Sequence, residues 1–323
     1  MKLRSFFFFL STIICPVVTA QAQAIDNMTS ARSINNSAYF RLHYENDFFT
    51  ATDQYYSQGI NLEYVAPGLR KITPCFLLLH LPVAIRKFGL LVEHDAYTPT
   101  SIRNTEIIKG DRPFAATLTL KTFLITTDTI RKLRIASSFT AGAMGKVAGG
   151  QWMQTSIHKW LKNIEPLGWE HQVTNDVVLN YQTTIEKQLV HMPHNFLMST
   201  YAKLNAGTLF TNASAGTVMM AGLFDCPFNA DAKSKNAVTV YIYLQPQVNF
   251  IAYDATLQGG LLNHDSPNVI STSSISRVTG EASAGLCLGF KSIHVEYFQA
   301  IKTKEFSTGT YHRWGGVRMA VSF

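Results

Sequence analysis

Charge is scarce in this chain, and so is cysteine. Only 15 % of its 323 residues are charged, against 46 % that are hydrophobic. No compact run of Lys or Arg exists, so nothing in the charge pattern supports a nucleic-acid partner. The four cysteines are Cys15, Cys75, Cys226 and Cys287, and their spacing matches no zinc pattern. The last three leave one thiol over even if two pair, which excludes a disulfide framework. Long apolar runs are lacking as well. Past the first two dozen residues, none reaches the ~18 residues that a membrane-crossing helix needs. The closest, residues 75–81 with Val83, is short and carries His80 and Pro82. There is no internal repeat, low-complexity tract or linker, so a single folded domain is expected.

The amino terminus has the form of a secretory leader. Lys2 and Arg4 form a basic start, residues 6–10 and 13–18 an apolar stretch, and Ala22-Gln23-Ala24 fits an A-x-A cleavage site. Residues 1–24 are therefore read as a signal peptide and 25–323 as the mature domain. Cys15 lacks the small residue that a lipoprotein signal places before it, which argues against a lipid anchor. The formal net charge is +7, of which Lys2 and Arg4 contribute two. The modest positive balance left suits a protein that faces anionic lipid or phosphate.

What the mature chain has in quantity is alternation. Ala38, Phe40, Leu42 and Tyr44 alternate with Tyr39, Arg41, His43 and Glu45; Ile60, Leu62 and Tyr64 alternate with Gly59, Asn61 and Glu63. Residues 114–126, 132–144, 174–188, 198–210, 215–224, 237–252, 279–290 and 292–302 are further candidate strands. The chain closes on Val317, Met319, Val321 and Phe323, alternating with small or polar residues. Such a period of two, apolar on one face, is the signature of strands that put one face to lipid. The fold class is therefore all-β, a transmembrane antiparallel barrel. At roughly 20–25 residues per strand and connection, the mature length allows about twelve strands. A barrel of that size fills its interior with its own side chains rather than leaving a wide pore. Tyr241, Tyr243, Tyr253 and Trp314 are candidates for interfacial aromatic girdles.

One stretch is out of place in a barrel. After Gly149-Gly150, the segment Gln151-Trp152-Met153-Gln154-Thr155-Ser156-Ile157-His158 has a helical pattern. Gln151, Gln154 and His158 share one helical face, and Ile157, Trp160 and Leu161 lie on a neighbouring face that can dock it. A lone histidine on such a helix is ordinarily just solvated, so its meaning depends on other segments. Asn46 and Asp47 end the first strand and Ser57 opens the second; a hairpin would bring them to one rim. As neighbours, Asn46 and Asp47 point to opposite faces of a regular strand, so a shared site requires a bend or bulge there. Lys109-Gly110-Asp111-Arg112 precedes another strand, with Arg103 in the same loop. Gly168-Trp169 and Gln172 are placed to pack on the helix.

Taken in order, these segments resemble the lipid A 3′-O-deacylase family of outer-membrane proteins. The resemblance runs through Glu45-Asn46-Asp47, Tyr56-Ser57-Gln58-Gly59, Asp95-Ala96-Tyr97-Thr98-Pro99 and Lys109-Gly110-Asp111-Arg112. It continues with Gly149-Gly150-Gln151, Gln154, His158, Gly168-Trp169, Gln172, residues 253–260 and Phe306-Ser307-Thr308-Gly309. It implies a twelve-stranded barrel with its site at the extracellular rim, between the wall and a loop helix. It also implies His158 as catalytic histidine, Asn46 and Asp47 as the Asn–Asp pair, calcium dependence, and lipid A of lipopolysaccharide as substrate. Ser57 stands where the family often has Thr. A basic pair after the third strand is reduced to Arg103, which leaves the lipid A species open.

The residues support a hydrolytic reading. Imidazole gains and loses a proton near neutral pH, so His158 is the natural base. A Ca²⁺ ion held by Asp47, Asn46 and backbone carbonyls would polarise an ester carbonyl. Arg103, Lys109, Arg112 and Gln151 are the candidate substrate contacts. Two attacking groups are open, a water activated by His158 or the Ser57 hydroxyl. Ser57 lacks a nucleophile-elbow context, which favours water. A phospholipase, a passive channel and a glycan-binding adhesin are the competing functions.

Overall fold

The computed structural model describes residues 34, 36–50, 54–82, 84–193, 195–229 and 237–323. The leader, residues 1–24, lies outside them. Twelve antiparallel strands close into a barrel, each paired with its neighbours in sequence. They are β1 (Tyr39–Asn46), β2 (Tyr55–Val65), β3 (Ile85–Thr98), β4 (Ala115–Asp128), β5 (Leu133–Met144), β6 (Asp176–Met192), β7 (Phe196–Gly207), β8 (Phe210–Leu223), β9 (Val238–Asp254), β10 (Val278–Phe290), β11 (Ile293–Lys302) and β12 (His312–Ser322). β1 meets β12 with Tyr39 opposite Ser322 and Asn46 opposite Gly315, so no edge is left open. Two short helices lie in the connections: α1 (Gly150–Leu161) and α2 (Ala255–Gln258).

The period of two does what the sequence pattern implies. Along β9 and β11, exposed residues alternate with buried ones. The outer set (Val240, Ile242, Leu244, Val295, Tyr297 among them) is exposed and apolar. Inside the barrel, aromatic and polar side chains are mixed with buried charges that are paired. Arg41 meets Glu63 at 2.9 Å, Lys121 meets Glu93 at 2.9 Å, and Arg134 meets Glu186 at 3.4 Å. Arg318 pairs with Glu296, reaches Glu45 at 3.7 Å, and stacks on Phe298 at 4.0 Å. These ions are buried, so each depends on its partner being there. The barrel's own side chains thus occupy much of the lumen.

Two expectations need correction. β3 is a strand that alternation does not reveal, because Leu90, Leu91 and Val92 run together without a polar break. Tyr241, Tyr243 and Trp314 are not girdle residues. They are 5 %, 9 % and 3 % exposed and point inward, where the Tyr243 hydroxyl donates to Glu296 at 2.7 Å.

The apolar run at 75–81 also finds its place. It lies outside the barrel, folded back on the outer wall. Leu78 packs on Phe88 and Leu124, with Phe139 and Tyr181 beside them. The wall there carries polar groups on its lipid side, and the flap's backbone satisfies them. The Ser137 hydroxyl donates to the Leu79 carbonyl at 2.6 Å, the Tyr181 hydroxyl accepts from Leu79 N–H at 2.9 Å, and Thr126 Oγ1 accepts from Leu81 N–H at 3.1 Å. In hydrocarbon such groups have no water to turn to, so they must be covered. Leu78→Ala should therefore cost about 2–5 kcal/mol, read as a lower urea midpoint for the heat-modifiable folded band. A midpoint equal to wild type would show that the flap does not hold the wall.

Candidate active site

The odd-numbered strands all end at one rim, and the β3–β4, β5–β6 and β9–β10 connections gather there. β1 stops at Asn46, and Asp47 opens a 3-10 turn over Asp47–Thr50. The bend that a shared Asn–Asp site requires is thus present between the two residues. Asn46 follows Phe40, Leu42 and Tyr44 on the outer face. Its Nδ2 donates to the Ser57 carbonyl at 2.5 Å and to the Tyr44 hydroxyl at 3.1 Å, and its Oδ1 accepts from Phe48 N–H at 2.7 Å. Asp47 is buried, and its Oδ2 accepts from Gln54 N–H at 2.7 Å.

β2 begins irregularly. Tyr55 has φ 71°, in the left-handed region that a non-glycine residue enters only under constraint. The register with β3 then slips between Tyr56 and Gln58. Ser57 is the extra residue of this bulge, and its hydroxyl lies 2.6 Å from Thr98 Oγ1. Gln58 pairs with Ala96 across the slip. Ala96 and Thr98 share the outer face of β3 with the exposed Val92. Ser57 and Gln58 therefore both look outward, away from the lumen.

α1 lies over this outer face. Gly149 (φ 77°) starts it and Lys162 (φ 53°) ends it, both left-handed. Its seat is made of small residues: a Cβ on Gly150 would stand 2.5 Å from Ala116 Cβ and 2.7 Å from the Trp169 ring. Ala116 is on the outer face of β4, in line with the exposed Leu118 and Leu120. Trp169 is 1 % exposed, packs on Phe114 with the rings tilted and their centroids 4.9 Å apart, and donates its Nε1–H to Gln154 Oε1 at 2.7 Å. Gln172 Nε2 donates to the Trp169 carbonyl at 2.9 Å. Gln58 Nε2 touches the Met153 sulfur, and His94 Nε2 holds the Ala148 carbonyl at 3.1 Å. Trp160 and Leu161, expected to dock the helix, are instead 82 % and 58 % exposed; Gly150 and Gln154 do that work.

His158 is half-buried in the last turn of α1. Lys162 and Asn163 N–H groups close that turn on the His158 carbonyl. The returning chain sets the Ile164 carbonyl 2.5 Å from His158 Nδ1. A carbonyl only accepts, so Nδ1 carries the proton, and in the neutral ring Nε2 holds the basic lone pair. Met153, which touches Gln58, precedes His158 by five residues, about 7.5 Å of helical rise. The structure thus brings Asn46, Asp47 and Ser57 together and fastens the His158 helix to the same stretch of wall.

The basic candidates divide. Arg103 and Lys109 are exposed in the β3–β4 connection, and Gln151 is exposed in the first turn of α1. Arg112 is not available to a ligand. It is 1 % exposed, pairs with Glu305, donates to Thr256 Oγ1 at 2.6 Å, and stacks on Tyr97 at 4.4 Å. It ties the β3–β4 connection to those after β9 and β11. Thr98, His94, Ala96 and Ala116 are contributors that site reasoning from sequence missed. Their signal was spacing: Ala96 and Thr98 sit two apart, hence on one face. Among the described residues no group of three or more His, Cys, Asp or Glu could hold a metal. Asp47 and Asn46 offer hard oxygens of the kind calcium takes, but with one carboxylate they need backbone carbonyls or water to complete a shell.

Comparison with protein families matches residues 6–323 to the model described as outer membrane protein LpxR. The chain belongs to the LpxR family. Membership makes it an outer-membrane barrel of the lipid A deacylase kind. Among solved structures, LpxR from Salmonella typhimurium is similar at TM-score 0.73 and 18 % identity, covering 88 % of this chain and 100 % of that one. The β domain of the Bordetella autotransporter BrkA covers 89 % of this chain and 99 % of its own at 8 % identity, with TM-score 0.46. Comparison with curated protein sequences finds no match.

Two outcomes follow for this LpxR-family site. Ala116→Leu fills the seat of α1, so it should displace the helix and abolish turnover while the barrel stays folded on a heat-modifiability gel; overpacking of this kind costs about 1–3 kcal/mol. Full activity in that variant would refute the seat. Glu305 supplies a pH dependence. Burial alone would raise its carboxyl, but Arg112 and Lys302 outweigh burial and hold it at about 2, against an ordinary 4.5. Its contribution is complete above 4.5 and lost as pH falls towards 2. Protease cleavage of the rim loops should rise over that window, and less steeply in Arg112→Leu.

Proposed function

We propose that this chain hydrolyses the ester of the 3′-linked acyl or acyloxyacyl chain of lipid A, from a rim that faces the cell exterior. The observation that carries the reading is the side of the wall. Asn46, Ser57, Gln58 and α1 lie on the barrel's outer face, in line with the lipid-facing residues below them. A lipid can reach this place by sliding sideways in the leaflet, without leaving it. A channel would use the lumen instead, and the barrel's own side chains occupy much of it.

His158 acts as general base through Nε2, with Nδ1 anchored on Ile164 so that the ring cannot turn away. The nucleophile is a water. Ser57 is poorly placed for attack, because its hydroxyl is already engaged with Thr98. Its role is to fix the bulge and, with Thr98, to orient the water. The Asn46 amide holds the Ser57 carbonyl and so sets where the two strands meet the substrate. Asp47 and Asn46 are the residues that would hold Ca²⁺; the ion supplies Lewis-acid polarisation of the ester carbonyl when bound. Arg103 and Lys109 meet the phosphate groups of the glycolipid, and Gln151 the sugar.

The test is mass spectrometry of lipid A from outer membranes carrying the protein, with and without Ca²⁺. Loss of the 3′-linked group is expected with wild type, reduced about 10²–10⁴-fold by His158→Ala. Ser57→Ala should slow turnover without abolishing it. Unchanged lipid A with a folded wild-type protein would sink the proposal, and release of fatty acid from glycerophospholipids instead would reassign the substrate. An acyl adduct trapped on Ser57 would overturn the water mechanism.

A further inference from the structure

α1 has a second face that the catalytic reading does not use. Its inner side presses Gly150 and Gln154 against the wall. Turned away from it are Trp152 and Trp160, 72 % and 82 % exposed and two turns apart, with the exposed Ser156 between them on the helical surface. The chain has four tryptophans, and the other two, Trp169 and Trp314, are 1 % and 3 % exposed. Two exposed indoles on one helix need a partner.

The fold says which partner. α1 covers the outer face of β4 at Ala116, and the next outward residues down that strand are Leu118 and Leu120, 43 % and 53 % exposed. The helix that carries the two indoles is thus seated at the upper border of the lipid-facing band. An indole has an apolar body and one N–H, which suits the boundary between acyl chains and headgroups. Lys159 and Lys162, both exposed, stand beside them, suited to anionic lipid phosphates. We propose that α1 is an interfacial anchor: Trp152 and Trp160 embed in the bordering leaflet and hold the His158 helix at headgroup depth. This rests on the barrel lying in a membrane, not on the catalytic reading.

Tryptophan emission tests it without any turnover. The folded protein is placed in phosphatidylcholine–phosphatidylglycerol vesicles, with or without phosphatidylcholine brominated on its acyl chains. Brominated lipid should quench the wild-type protein strongly, and most of that quenching should vanish in Trp152→Phe/Trp160→Phe. Aqueous iodide should have little effect on the same two indoles. If the double variant does not fold, Trp152→Phe and Trp160→Phe give the same answer singly, by difference. Quenching by iodide but not by brominated lipid would place this face in water and overturn the anchor. So would lipid quenching that is equal in wild type and variants.

Discussion

A polar group on the outside of a membrane barrel has nowhere to find water, and much of this structure answers that constraint. Much of the circumference meets it by having few such groups: along β9 the outward residues are apolar, and along β11 Gln299 near the rim is the exception. From β1 to β6 the wall is different. Asn46, Ser57, Gln58, His94, Thr98, Thr126, Ser137 and Tyr181 are all polar or carry a polar tip, and all look outward. Two covers deal with most of them. The 75–81 flap supplies backbone partners to Thr126, Ser137 and Tyr181 near one rim. Helix α1 and its flanking loop supply partners to Gln58 and His94 near the other.

The second cover differs from the first in chemistry, not in principle. The flap satisfies its groups and stops there. α1 satisfies some and brings a histidine whose Nδ1 is spoken for. A cover over polar groups at the edge of a bilayer is also a slot that an ester-linked lipid can enter. The site thus grows out of a requirement for covering the wall, with His158 added at the end of the cover.

How much of this was legible in the sequence varies with the physics behind each part. The barrel was legible because lipid on one side and packed charge on the other impose a period of two that is hard to miss. β3 escaped, since Leu90, Leu91 and Val92 blur the period and Phe88 is outward but roofed by the flap. Tyr241 and Tyr243 were misplaced because an aromatic strand residue fits a girdle and a packed lumen equally well. Asn46, Asp47, Ser57 and His158 were legible as candidates only through the order of their motifs. That Ser57 and Gln58 share a face depends on a one-residue slip against β3, which no composition encodes. Arg112 looked like a substrate contact because exposure is not written in sequence; its partner Glu305 is 193 residues away.

The unequal treatment of the wall gives the barrel a front and a back. On the back, along β9 and β10, the only demand on an outward position is that it be apolar. Many residues satisfy it, and exchanging one for another leaves register and lumen untouched. On the front, a single added methyl group at Gly150 strikes Ala116 of the wall and the Trp169 ring. Divergence between relatives should therefore accumulate unevenly around the cylinder, and two barrels with few identical residues can keep one nearly fixed sector.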